Sequence, residues 1–406
     1  MAPLTAFLLR SSAKTDRTEE KSMEVKKAKE LVVEAGLELV ESGLIARTWG
    51  NVSCRLDAST FVITPSGRAY ESLTPDEIVI CKIEDGSYEG DIKPSSERGA
   101  HALIYRERPE ANFIIHTHQT QASAASVIGK AEMPAAFSSE GEPVPVADYG
   151  LPGTKKLCKG IEKALSKTRG RAVIMAHHGV ICFGEDEKEA FDAVFSLEKS
   201  CRDYIKYLFK EAVEGKYGCS ENLRRLFTDD DFGQDEKRTK PGSSRRTDRG
   251  FAFSLDGKET EYDAEQNELP PEAALHAEIL RRRSDVNFIV CSDSAALLAA
   301  SASKTSLLPM LDDFAQIEGR QACYAKSAAP ADVVRALGKR SGVLVMGTGA
   351  LCCGKSESDA NAVRLVMEKN AYAQITAELG GSPRTLSFSD CLIMRTVYKL
   401  SYSKKE

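Results

Sequence analysis

Glu97, His101, Asn112, Phe113, Ile114, His116 and His118 recur in the same order, 175 residues further on, as Glu272, His276, Asn287, Phe288, Ile289, Cys291 and Asp293. A fixed offset held over that many positions marks a duplicated structural unit. A second block repeats as well: Ala176-His177-His178-Gly179-Val180-Ile181-Cys182-Phe183-Gly184 is answered by Met346-Gly347-Thr348-Gly349-Ala350-Leu351-Cys352-Cys353-Gly354. The chain must therefore fold into a unit small enough to be built twice in 406 residues. In the later copy His276 is kept but the His116/His118 pair is gone, and Thr348 stands where His178 stood. Helix and strand are kept while the chemistry is removed, which predicts a metal-free second copy with a scaffold role.

The chemistry of the first copy starts from Asn112-Phe113-Ile114-Ile115-His116-Thr117-His118. This is a β-branched and aromatic run, and on a strand alternate side chains share a face, so His116 and His118 point the same way. Two neutral imidazoles on one face make half of a metal site. Ala172 to Met175 is a second apolar strand, and it ends in His177-His178-Gly179. Since the whole chain has only six histidines, two strand ends that between them carry four are expected to set three imidazoles around one ion.

Composition narrows the class of function. A formal net charge of −5 gives no basic field to recruit nucleic acid or anionic membrane, and no apolar run approaches the roughly 20 residues needed to cross a bilayer. With 42% hydrophobic residues there is ample core for two domains. The eleven cysteines include no Cys-x-x-Cys pair, and their odd number argues against a disulfide framework, so a reducing, cytoplasmic compartment is expected. A small-molecule enzyme is the resulting expectation.

Taken in order, residues 1–21 read as a disordered leader, and 22–214 as the metal-binding domain. Ser22 to Ser42 has helical apolar spacing closed by Gly43. The turns around Asn51, in Gly50-Asn51-Val52-Ser53, and around Ser66 and Gly67, in Thr64-Pro65-Ser66-Gly67, expose backbone N–H groups able to hold an anion. Lys93-Pro94-Ser95-Ser96-Glu97 precedes a helix from about Arg98 to Arg108, which Ser95 or Ser96 is expected to cap. Glu97 is either a favourable partner for that helix dipole or a catalytic carboxylate, and His101 reads as a packed core residue. Residues 215–268 are charged and poor in apolar side chains, which predicts a linker or insertion whose basic run is solvated. Residues 269–400 read as the degenerate copy, truncated at its front because neither turn motif has an equivalent there and Ser95-Ser96 becomes Pro270-Pro271.

The Gly-Asn-Val-Ser, Thr-Pro-Ser-Gly, Pro-Ser-Ser-Glu, His-x-His and His-His-Gly blocks, in that order over about residues 25–210, resemble the class II aldolase/adducin family, the group containing fuculose-phosphate aldolase and ribulose-phosphate 4-epimerase. The resemblance implies a three-layer α/β/α fold around a mainly antiparallel sheet. It also implies zinc held by His116, His118 and His178, and Glu97 as acid/base. Asn51, Ser66, Gly67, Ser95 and Ser96 would grip a substrate phosphate, with His177 a neighbour of the metal site. The implied activity is reversible cleavage of a ketose-1-phosphate to dihydroxyacetone phosphate and an aldehyde through a metal-stabilised enediolate. Epimerisation or dehydration of a related sugar phosphate, or a non-catalytic adducin-like structural role, are the alternatives. Where fuculose-phosphate-cleaving members carry a tyrosine acid, this chain reads Ala135 to Gly141, with Tyr149 further along as the candidate replacement. Family members form rings, which implies a homo-oligomer, a dimer of tandem chains in which each degenerate copy stands in for a neighbouring subunit.

Overall fold

The computed structural model describes residues 24–45, 49–215, 219–228, 242–263, 266, 268–381 and 383–402. The expected leader, and the acidic and basic residues between 229 and 241, lie outside them.

The first half begins with helix α1 (24–41), followed by β1 (Asn51–Arg55), β2 (Thr60–Ile63), β3 (Val79–Lys82), α2 (Arg98–Glu107), β4 (Phe113–Thr117), α3 (Thr120–Ala125), β5 (Glu132–Met133), β6 (Val144–Ala147), α4 (Lys155–Leu165), β7 (Ala172–Met175), β8 (Val180–Gly184) and α5 (Glu187–Val213). The strands form one sheet in the order β3-β2-β1-β4-β8-β7-β6-β5. Pairing is antiparallel from β3 across to β7, and β6 joins β7 in parallel.

β4 is buried at every position, as a central strand covered on both faces must be. On one face Ile114, Val173, Ile181 and Phe183 pack with Leu103 and Ile104 of α2 and Leu157 and Ile161 of α4. The alternate residues Val52, Val62, Ile115, Ile174 and Val180 are buried too. The layering is helix, sheet, helix.

The second half contains α6 (Glu221–Thr228), β9 (Ser243–Arg246), β10 (Gly250–Leu255), β11 (Lys258–Asp263), α7 (Pro271–Arg282), β12 (Phe288–Ser292), α8 (Ala295–Ala302), α9 (Asp312–Ile317), β13 (Cys323–Ala325), α10 (Pro330–Leu337), β14 (Gly342–Val345), β15 (Gly349–Gly354) and α11 (Glu357–Ala377). Its sheet runs β11-β10-β9-β12-β15-β14-β13, the order of the first sheet without an equivalent of β5, and β13–β14 is again the parallel pair. The chain divides into two compact units. One extends to Gln119 and includes Pro134–Met175 and Gly179–Leu197. The other comprises Thr120–Met133, Ala176–His178 and the residues from Glu198 onward.

The linker expected over 215–268 is corrected by this topology, since it holds α6 and the three strands β9, β10 and β11. Phe251 and Phe253 alternate inward from β10 and join the second core. Of the basic residues described there, Arg245 and Arg246 brace the strands. Arg245 pairs with Glu259 at 2.7 Å, and Arg246 Nη2 donates to the carbonyls of Leu280 at 2.7 Å and Val286 at 2.9 Å. Arg55 does the same for β1, donating to Ala111 and Tyr105 carbonyls at 2.8 and 2.9 Å. The front of the second copy is shortened rather than missing. β10 and β11 are joined by Asp256-Gly257 alone, both at positive φ as a tight hairpin requires, where β2 and β3 are joined by residues 64–78.

Each repeat also buries a histidine at the same place on its helix, His101 of α2 and His276 of α7. His101 receives a 2.7 Å contact from Ser53 Oγ, and His276 a 2.6 Å contact from Ser244 Oγ. Burial pushes His101 down to about 3 and His276 to about 4. Both are depressed below the unfolded value near 6.5, so the unfolded chain binds protons first on acidification. Stability is therefore expected to fall from about pH 6.5 downward, by up to about 1.4 kcal/mol per pH unit for each histidine. Thermal midpoints of chelator-treated protein measured between pH 6.5 and 5 check this, and a flat profile would contradict it.

Candidate metal centre

His116 lies in β4 opposite Asn51 of β1 and Ile181 of β8. His118 follows the end of β4, and His178 occupies the turn between β7 and β8. Because Thr117 pairs with Val180, that turn arrives at the same end of the sheet as the end of β4. Gly179 makes the approach feasible, since a Cβ there would sit 2.3 Å from the Thr117 carbonyl oxygen. The ligand atoms of His116, His118 and His178 consequently all lie within 4.8 Å of one another, and all three residues are buried.

These residues suit a divalent metal. His116 Nδ1 is 2.7 Å from the Val180 carbonyl, which can only accept, so the proton is on Nδ1 and the Nε2 lone pair is left for a ligand. His116 Nε2 and His118 Nε2 are 3.0 Å apart, close to the separation of about 3.3 Å that two imidazoles about 2.0–2.1 Å from a tetrahedral zinc would have. Glu97 Oε2 is 3.0 Å from His116 Nε2, which adds an oxygen donor beside the three nitrogens. Among the described residues no comparable group forms around Glu272, Cys291 and Asp293 of the second repeat. There His276 Nε2 lies 3.5 Å from Cys291 Sγ, and burial raises that thiol far above its usual range.

Glu97 is itself the N-cap residue of α2 and makes no side-chain cap there. The expected cap by Ser95 or Ser96 is replaced by a 3.2 Å bond from Glu97 N–H to Ser95 Oγ, which releases the Glu97 carboxylate toward the sheet. Asn51 Nδ2 donates to Glu97 Oε2 at 3.0 Å. The Asn51 oxygen must then accept from His101 Nε2, 2.5 Å away. His101 Nδ1 in turn accepts from Ser53, whose hydroxyl also meets Tyr105 at 2.8 Å. His101, read from the sequence as packing alone, is thus the middle of a directional hydrogen-bond chain ending on Glu97. The second repeat keeps the serine–histidine pair without the metal ligands, so that pair belongs to the fold and the Asn51 link is what the first copy adds.

The remaining anion-site candidates sit on two loops that run side by side. Pro65 bridges Pro94, Ser66 N–H donates to Lys93 O at 2.9 Å, and Ser95 N–H donates to Thr64 O at 3.0 Å. The loops carrying Ser66 and Ser95 are thus paired, with the Ser66 and Ser95 amides spent on joining them; Gly67 and Ser96 follow these residues in the chain. The Asn51 side chain is committed to Glu97 through its amide and to His101 through its oxygen. Tyr149 lies under Lys156, whose Nζ is 5.7 Å from the ring centroid. His177 holds a positive φ of 61°, uncommon for a residue with a Cβ, and its Nδ1 donates to the Met310 carbonyl at 2.7 Å. Gly347 takes the same backbone region, at 71°, in the matching turn.

The family model described as Class II Aldolase and Adducin N-terminal domain matches residues 30–205 and again 247–375. Among curated proteins the chain is similar to 5-deoxy-D-ribulose 1-phosphate aldolase of Bacillus thuringiensis serovar kurstaki, with 32% identity over 208 residues, covering 50% of this chain and 95% of that protein. Among solved structures it is similar to an L-fuculose 1-phosphate aldolase at 30% identity, covering 45% of this chain and 86% of that one, with a TM-score of 0.41. The L-fuculose-1-phosphate aldolase from Thermus thermophilus is 24% identical, covering 47% of this chain and 97% of that one, with a TM-score of 0.38. Among the described residues no helix is long and apolar enough to cross a membrane.

Proposed function

Because the chain belongs to the class II aldolase and adducin N-terminal domain family and carries that domain twice, we propose that its first copy is a zinc-dependent aldolase that cleaves a ketose-1-phosphate. The observation that carries this reading is the convergence of the His116, His118 and His178 ligand atoms within 4.8 Å, with the Glu97 carboxylate 3.0 Å from His116. An adducin-like structural role gives no reason to keep three buried imidazoles together, and the second copy shows what the fold looks like without them. The similarity to a 5-deoxy-D-ribulose 1-phosphate aldolase supports the substrate class.

A zinc ion held by the three histidines would act as a Lewis acid for the negative charge that develops when the carbon–carbon bond breaks. The residues do the rest. Glu97 Oε2 delivers a proton to the carbon freed by cleavage and removes it in the condensation direction. The net proton thus travels from the hydroxyl that becomes the aldehyde to that carbon. Asn51, donating to Glu97, fixes which oxygen of the carboxylate faces the reacting carbon. The Ser66–Gly67 and Ser95–Ser96 loops hold the phosphate, chiefly through hydroxyls, and this anchor sets which carbon lies next to Glu97.

Incubating zinc-loaded protein with a panel of ketose-1-phosphates is the test. Release of dihydroxyacetone phosphate together with an aldehyde is expected from at least one of them. An epimerised or dehydrated phosphate without triose phosphate would contradict aldol cleavage and assign a different reaction to the same residues.

A further inference from the structure

The segment Leu308 to Asp313 of the second repeat has no role in the reaction as described so far, yet it carries two adjacent acids with no exposed surface. Asp312 and Asp313 open α9 and are both 0% exposed. Acids in a first helical turn ordinarily face solvent and serve the helix dipole, so full burial calls for a specific partner. Asp313 has one in Lys369 of α11. The partner of Asp312 is a histidine from the first repeat: its Oδ2 is in contact with His178 Nδ1. Apart from that contact, neither Asp312 oxygen has a hydrogen-bond partner among the described residues. A carboxylate so placed is costly unless its one neighbour is cationic or is itself attached to a cation.

The segment is held on both sides. Asn370 Oδ1 accepts from the N–H groups of Met310 and Leu311 at 3.0 and 3.1 Å, and Asn370 Nδ2 donates to the Leu308 carbonyl at 2.8 Å. Toward the β7–β8 turn, Asp312 N–H donates to the His177 carbonyl at 2.9 Å, and the Met310 carbonyl accepts from His177 Nδ1 at 2.7 Å. These bonds also give His177 its reason to occupy a left-handed backbone position. Asp312, Met310, Asn370 and the 176–178 turn all belong to the same compact unit.

We propose that Asp312 is a positioning residue for the metal site: it keeps the proton of His178 on Nδ1 and so presents the Nε2 lone pair to the cation. The copy that lost its own ligands thereby supplies the carboxylate that orients a ligand of the first. This inference rests on the zinc reading above. A carboxylate behind a ligating imidazole fixes its tautomer and ring orientation and raises its basicity, and removing such a partner typically costs about 10–100-fold in metal affinity.

The experiment is a zinc titration of the full chain against a competing chromogenic chelator, for wild type, Asp312→Asn and His178→Ala. It is combined with imidazole 15N spectra of the metal-free proteins, in which His178→Ala identifies the His178 signals. About one tightly bound zinc per chain is expected for wild type. Asp312→Asn is expected to bind zinc roughly 10–100-fold more weakly with an unchanged circular dichroism spectrum. In the wild-type spectrum His178 is expected to carry its proton on Nδ1. Asp312→Asn with wild-type zinc affinity would overturn the proposal and leave the metal reading standing. So would a wild-type His178 protonated on Nε2, which needs no variant to fold. A wild type that binds no zinc overturns the metal reading, and this inference with it.

Discussion

His116→Ala is expected to abolish stoichiometric zinc binding and to reduce cleavage to background. His116 is the central member of the site: its Nε2 is 3.0 Å from His118 Nε2 and 3.0 Å from Glu97 Oε2, so its loss removes the nitrogen donor that lies between the other donors. The effect on zinc affinity should exceed the roughly 10–100-fold that follows from losing an outer partner of a ligand. Lewis-acid stabilisation is worth several kcal/mol of barrier, so the turnover rate should fall by about 10³-fold or more. Zinc content by elemental analysis and the rate of triose phosphate release check the two halves separately. A variant that keeps one zinc per chain would place the ion elsewhere.

Glu97→Gln is expected to separate proton transfer from metal binding. The amide keeps the shape and burial of the side chain and can still meet Asn51, but it cannot take up or deliver a proton. The three imidazoles remain, so zinc should be retained at about one per chain. General acid–base catalysis typically contributes about 10²–10⁴-fold, and a loss of kcat in that range is expected with a small change in KM. Undiminished cleavage would remove Glu97 from the reaction. Loss of zinc along with the rate would make it mainly a ligand.

The elements legible in the sequence are those written in local pattern. A β-branched and aromatic run with a terminal His-x-His identifies β4, the apolar run before His177-His178 identifies β7, and Phe191, Val194, Leu197, Cys201, Ile205 and Leu208 form the stripe that marks a helix over Glu185 to Phe209. The duplication was legible wherever its offset stayed at 175. It was lost at β9 to β11 because the shorter hairpin and shorter approach to α7 shift the front of the repeat: Ser244 follows Ser53, and Arg246 follows Arg55, by 191 residues. The shared Ser-x-Arg pattern at 53/55 and 244/246 was the available signal. The direction of the Asn51 amide was not legible, because it depends on the pairing of Asn51 with His116 across β1 and β4, a register that no local motif encodes. The same holds for Asp312, which is 134 residues from His178 and meets it only in the folded chain.

X-ray absorption at the zinc edge on stoichiometrically loaded wild-type protein reads the ligand set of the ion itself. With three histidines as ligands, a nitrogen and oxygen shell at about 2.0–2.1 Å with imidazole scattering is expected. A sulfur shell at about 2.3 Å would instead put the ion on some of the eleven cysteines, and that result would contradict the proposed site.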